Sequence, residues 1–170
     1  TGVQTCALPI SAHHRSSVSS SKEGEQHINA SSTTRLMFAP RPLDISEPGV
    51  VFNGAPVCAT IFDLALFCVQ NARELVARQQ GVLLYLRHVE GHLEARYHDR
   101  LFDLLEEHLD LPRGTIRATV MLDSISAALE IEEILFELSH HSAGVSLDLQ
   151  AYAADHIALF SSADRKPLPD

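Results

Sequence analysis

Residues 111–144, LPRGTIRATVMLDSISAALEIEEILFELSHHSAG, decide the fold. Thr115–Leu122 (TIRATVML) is apolar and rich in β-branched residues, as a buried parallel strand should be. A helix follows from about Ser124 to Leu138, and AGVSL, ending at Leu147, reads as the next strand. Strand, helix and strand within about 30 residues describe a βα repeat, which is right-handed and belongs to a parallel sheet.

Working outward, the same alternation continues on both sides. Upstream, His92–Leu109 reads as a helix stopped before Pro112, and VLLYL (Val82–Leu86) as a strand. Phe62, Ala65, Leu66, Val69, Ala72, Leu75 and Val76 recur at spacings of three and four, which predicts an amphipathic helix. RLMF (Arg35–Phe38) is a further short apolar run, joined to that helix through the Pro-rich loop PRPLDISEP. Downstream, Ala151–Phe160 reads as a last helix.

Composition fits a soluble globular chain: 170 residues, 45% hydrophobic, 21% charged, with a formal net charge of −9 at pH 7. The acidity argues against a nucleic-acid or anionic-membrane partner, either of which favours a basic face. No apolar run reaches the roughly 18–20 residues of a membrane helix, and the cytoplasm is the expected compartment. Cys58 and Cys68 lie in or beside an apolar helical pattern and read as small buried hydrophobes. Thr1–Ser11 (TGVQTCALPIS, with Cys6) resembles a translated sequencing-library adapter and is set aside from the fold. Residues 12–34 are Ser-rich and nearly devoid of large apolar side chains, so a disordered lead-in is expected there; His13, His14 and His27 lack acidic or Cys partners at ligand spacing. One domain is therefore expected over 35–170.

Residues 111–144 resemble the barrel core of the malate synthase family, which condenses acetyl-CoA with glyoxylate. Phe52–Gly81 (FNGAPVCATIFDLALFCVQNARELVARQQG), Leu84–Phe102 (LYLRHVEGHLEARYHDRLF) and the closing Leu168–Asp170 resemble further family segments, without a gap from about Arg41 to the last residue. The resemblance implies an α/β fold, a (β/α)₈ TIM barrel. Such a barrel usually takes about 250 residues, so only about its first half is expected here.

The resemblance also implies a site. In (β/α)₈ enzymes catalytic residues stand at the carboxyl ends of the strands. The family holds Mg²⁺ with a Glu at one strand end and an Asp at the next, because a hard cation with open positions can bind glyoxylate and polarise its aldehyde. The Glu position falls on Asp123 and the second ligand position on Ala151, beside Tyr152. Asp148 stands where the family has a Gly that seats the glyoxylate carboxylate, and is an alternative metal carboxylate. The family's charge-stabilising Arg falls on Ala39; Arg41 matches a second Arg and is the candidate to replace it. Arg117 and Gly144 are candidate substrate contacts. The family's general base falls beyond Asp170.

Among other family matches, Arg113 reads as structural and His141, next to His140, as a core or supporting histidine. Glu90, His92, Glu94 and Arg96 form a charged helix start whose ordinary explanation is a solvated, dipole-matched face. Three function classes follow: a fragment of an acetyl-CoA/glyoxylate acyltransferase with Mg²⁺, a catalytically silent paralogue serving as a binding or partner subunit, and a barrel lyase acting on CoA esters. Losses at several charged positions together predict that the chain as written is inactive, since even one such loss can cost ~10²–10³ in rate.

Overall fold

Three parallel strands lie side by side in chain order, each followed by a helix. The computed structural model describes residues 37–161 and, by backbone only, two short paired strands, β1 (Ser17–Val18) and β2 (Gln26–His27). Thr1–Ser11, the rest of the Ser-rich stretch and Leu168–Asp170 lie outside the described residues.

The central sheet has the order β5 (Val82–Leu86), β6 (Ile116–Leu122), β7 (Ser142–Leu147). Val82 pairs with Ile116 and Leu86 with Val120 in one parallel register, and Leu122 pairs with Leu147 in the next. Phe38 adds a single parallel bridge to Leu84, its N–H donating to the Leu83 carbonyl and its own carbonyl accepting from Tyr85. Of the RLMF run, Phe38 makes this bridge, and Arg35 and Leu36 lie outside the described residues. Spatial order following chain order is what a barrel requires; a doubly wound sheet reverses direction part-way. Among the described residues the sheet does not close, so the structure shows an open parallel α/β sheet.

The helices cover one face of the sheet. α1 (Ala59–Ala77) buries Leu64, Phe67, Cys68, Ala72 and Leu75, the stripe that period-3.6 spacing produces. Phe67 stacks on Phe38 with ring centres 4.2 Å apart. α2 (His92–His108) buries Ala95, Phe102 and Leu105. Against them lie Val82, Leu84 and Leu86 of β5 and Ile116, Ala118 and Val120 of β6, all in one core cluster. Successive strand side chains alternate between faces, so Tyr85, Thr119, Met121 and Asp123 turn to the face away from the helices.

Two expectations are corrected. The Pro-rich stretch is not all loop: β3 (Ser46–Phe52) and β4 (Ala55–Cys58) form an antiparallel hairpin with an irregularity between Glu47 and Val51. Its turn is Asn53–Gly54, both at positive φ (50° and 83°), the geometry of a two-residue hairpin loop. The single helix expected over 124–138 is two, α3 (Ile125–Leu129) and α4 (Ile131–Glu137), separated at Glu130. The Glu130 carboxylate accepts the His92 N–H at 3.0 Å and meets His92 Nδ1 at 2.8 Å, satisfying a first-turn amide of α2 that has no partner within its own helix. α5 (Leu149–Phe160) ends the described chain.

Candidate functional site

The strand ends gather the chemistry. Asp123 follows β6 directly, its residue 5% exposed, because the 116/118/120 alternation that buries the core sends residue 123 to the opposite face. One oxygen, Oδ2, accepts the His88 backbone N–H at 3.0 Å and lies 3.3 Å from His88 Nδ1. The other, Oδ1, is buried and has no hydrogen-bond partner. A buried carboxylate oxygen without a donor is costly, and such an orphan calls for an explanation. His88 itself sits just past β5 at φ 54°, an uncommon conformation for a non-glycine residue. Its ring is 51% exposed. On the same face, the Tyr85 hydroxyl meets Ser146 Oγ and Met121 Sδ, tying β5, β6 and β7 together.

Arg41 stands beyond the Phe38 bridge but is already engaged. Its Nε donates to Asp63 Oδ2 at 2.9 Å, Nη2 to Asp63 Oδ1 at 2.8 Å and Nη1 to Glu47 Oε2 at 2.8 Å. The two carboxylates raise the guanidinium pKa well above its ordinary value, Asp63 contributing most, and Arg41 in turn holds Glu47 below the carboxylate range. Arg41 therefore fastens the hairpin to α1, and Ala39 offers no side-chain donor. Asp148 is the N-cap of α5: its Oδ1 accepts from Gln150 N at 3.1 Å and Ala151 N at 3.0 Å. Ala151 has no ligand atom in its side chain.

The remaining candidates lie elsewhere. Arg117 is the second residue of β6, six residues before Asp123 and hence roughly 20 Å away along the strand, with Nη1 on the Ser142 carbonyl at 3.2 Å. Gly144 sits at φ 146° beside an irregularity in the β6–β7 register, where its conformation, rather than any close neighbour, favours glycine. The charged start of α2 is structural: Arg96 forks onto Glu137 at 2.9 and 2.6 Å, and Glu94 accepts the Glu90 N–H. Cys68 is buried, which pushes its thiol up to about 12, and is not a nucleophile.

A second titratable cluster occupies the opposite end of the strands. His141, just before β7, is fully buried, with Nδ1 2.7 Å from Asp99 Oδ1 and Nε2 3.3 Å from Glu106 Oε2. Glu106 also accepts the backbone N–H groups of Gly114 at 2.8 Å and Ile116 at 2.6 Å. Asp103, held by Arg113 through 2.8 and 2.9 Å bonds, completes a group of possible metal-binding atoms beside a cleft of about 410 Å³. These donors satisfy one another and two strand amides, and in barrels this end serves stability. Sequence reading missed Asp63, His88, Tyr85, Ser146 and Glu106 as organising residues.

The two-carboxylate Mg²⁺ scheme does not fit this chain. Octahedral Mg²⁺ takes oxygen ligands; here Asp123 offers one unpartnered oxygen, Ala151 none, and Asp148 is committed to a helix cap.

Comparison with known proteins agrees with the fold. Residues 35–170 match the family model described as malate synthase, TIM barrel domain. Malate synthase of Myxococcus xanthus is 36% identical over 157 residues, 92% of this chain and 29% of that protein. Glyoxysomal malate synthase of Candida tropicalis is 34% identical over 135 residues, 79% of this chain and 24% of that protein. Malate synthase A of Escherichia coli is 30% identical over 135 residues, 79% and 25%. The chain spans less than a third of the length of these curated relatives.

Proposed function

Since the chain belongs to the malate synthase TIM-barrel family, we propose that it forms part of the site of an acyltransferase that condenses acetyl-CoA with glyoxylate to give malate in the glyoxylate cycle. The observation that carries this reading is Asp123 at a parallel strand end, buried yet with an unpartnered oxygen. The chain's own part is to hold Asp123 through the His88 amide and to brace the sheet beneath it through Tyr85, Met121 and Ser146.

A second reading has its own support. Arg41 is bound to two carboxylates, Asp148 caps a helix, and positions 39 and 151 are alanines. We therefore infer that this chain as written does not turn over and, within a larger assembly, serves as a silent binding or partner subunit. We propose the cytoplasm as its compartment; no described helix is long and apolar enough to cross a membrane.

A chimaera tests the first reading. Residues 35–170 would replace the matching segment of the Myxococcus xanthus relative, with Ala39→Arg, Asp123→Glu, Asp148→Gly and Ala151→Asp added. Glyoxylate-dependent CoA release is expected. Its absence from a folded chimaera contradicts the assignment.

A further inference from the structure

Away from the strand ends, α2 carries an outer stripe of side chains that the described fold leaves uncovered. We infer that this stripe is a self-complementary interface, through which two copies of the chain pair by antiparallel α2 helices about a two-fold axis.

α2 turns Ala95, His98, Phe102 and Leu105 into the core. On its opposite side Leu93, Tyr97 and Leu104 stand 63%, 43% and 62% exposed, with Arg100 exposed among them. A solvated helix face ordinarily carries polar residues. The steps from 93 to 97, 100 and 104 are four, three and four residues, the spacing of a seam that packs on a second helix. Charge permits a second copy here: the chain is acidic, at −9, yet the stripe holds no acid and one cation. Among the described residues Arg100 forms no ion pair, since Glu137, which feels its charge, is held by Arg96. An isologous contact sets residue i against j and j against i. Antiparallel pairing centred between residues 98 and 99 places Leu93 against Leu104 of the second copy and Tyr97 against its Arg100. The first pair is apolar on apolar and the second a cation over an aromatic ring. Centring on residue 100 instead would set guanidinium against guanidinium, so charge also selects the register.

One helix against one helix is a small interface, so a weak dimer is expected in sedimentation velocity of the full 170-residue chain over roughly 10–300 µM. Arg100→Glu and Tyr97→Arg should each weaken it ~10-fold or more, the second by setting cation against cation, and the two together should restore it to within about threefold. Disulfide trapping, with Cys6→Ser and Cys58→Ser to remove other accessible thiols, reads the register. Leu93→Cys combined with Leu104→Cys should give a covalent dimer on mild oxidation. Neither substitution alone should, because the two copies of either position lie roughly 16 Å apart along the helices, beyond the reach of a disulfide. A monomer throughout the range, a dimer indifferent to both charge variants, or trapping by one introduced cysteine as efficient as by the pair overturns the inference. Indifference to the charge variants would place the contact elsewhere, as at the open edge of β7. All four substituted positions are exposed, and circular dichroism of each variant confirms that a loss is not unfolding.

Discussion

Arg41 and Asp63 are locked together: the buried Asp63 carboxylate accepts the Arg41 backbone N–H at 3.0 Å and two guanidinium N–H groups at 2.9 and 2.8 Å. The Asp63 side chain is fully buried while Arg41 retains 21% exposure, so the pair joins the segment after the first bridge to α1 at the edge of the core. Removing one partner leaves a charge without compensation, whereas the intact pair contributes little against a well-packed apolar replacement.

Arg41→Ala should therefore destabilise the fold by about 3 kcal/mol or more, because it strands the buried Asp63 carboxylate, and Asp63→Ala by less, because Arg41 is partly exposed and keeps Glu47 as a partner. Urea denaturation of the two variants measures both. Equal, negligible effects would show that Arg41 is free and available to a substrate.

Asp148→Ala should cost ~1 kcal/mol, the usual loss of an N-cap, without changing divalent-ion affinity. Thermal unfolding and ion titration of the same variant check the two halves. A large loss of ion binding would mean that Asp148 leaves its cap to become a ligand.

Glu106 supports two backbone amides of the β6 approach and the buried His141. Its replacement by Ala orphans those amides, at about 1–3 kcal/mol for each buried group. Amide exchange at Gly114 and Ile116 should accelerate more than at the β5 amides. Uniform acceleration would indicate general loosening rather than this contact.

Acid should destabilise the fold in two stages. Burial holds the His98 pKa below its ordinary 6.5, so the unfolded chain takes up a proton there first and stability falls as pH drops below 6.5. Glu47, Glu130 and Glu137 are held below their ordinary 4.5, chiefly by hydrogen bonds from Arg41, from the His92 backbone and from Arg96; their contributions are present above 4.5 and are lost as pH falls through the folded values. Melting temperatures followed across pH for the wild type and His98→Phe test the first stage, which should disappear in the variant. An unchanged slope removes His98 from the account.

Much of the β/α frame was legible because its signals are local. Val82–Leu86 and TIRATVML are short apolar runs between Gly or Pro punctuation, and the helices carry period-3.6 stripes. The hairpin was hidden because Pro48, Gly49 and Pro56 read as loop, although Asn53–Gly54 carried the hairpin-turn signal. The Glu130 carboxylate, at the break, meets His92 across 38 residues of sequence, a contact that no local pattern announces. The same limit hid the site's connections. Asp123 could be placed at a strand end by resemblance, but its partner His88 is 35 residues distant, and Arg41's partner Asp63 is 22 away. Asp148 could have been read as an N-cap, since a helix begins directly after it.

The central claim is that this chain carries the family's strand-end carboxylate without the groups that complete its chemistry. Thiol detection of CoA released from acetyl-CoA and glyoxylate, with Mg²⁺ and then with Mn²⁺, tests it on the purified 170-residue chain. No release above the protein-free blank is predicted with either ion. Glyoxylate-dependent release that disappears in Asp123→Ala would contradict it.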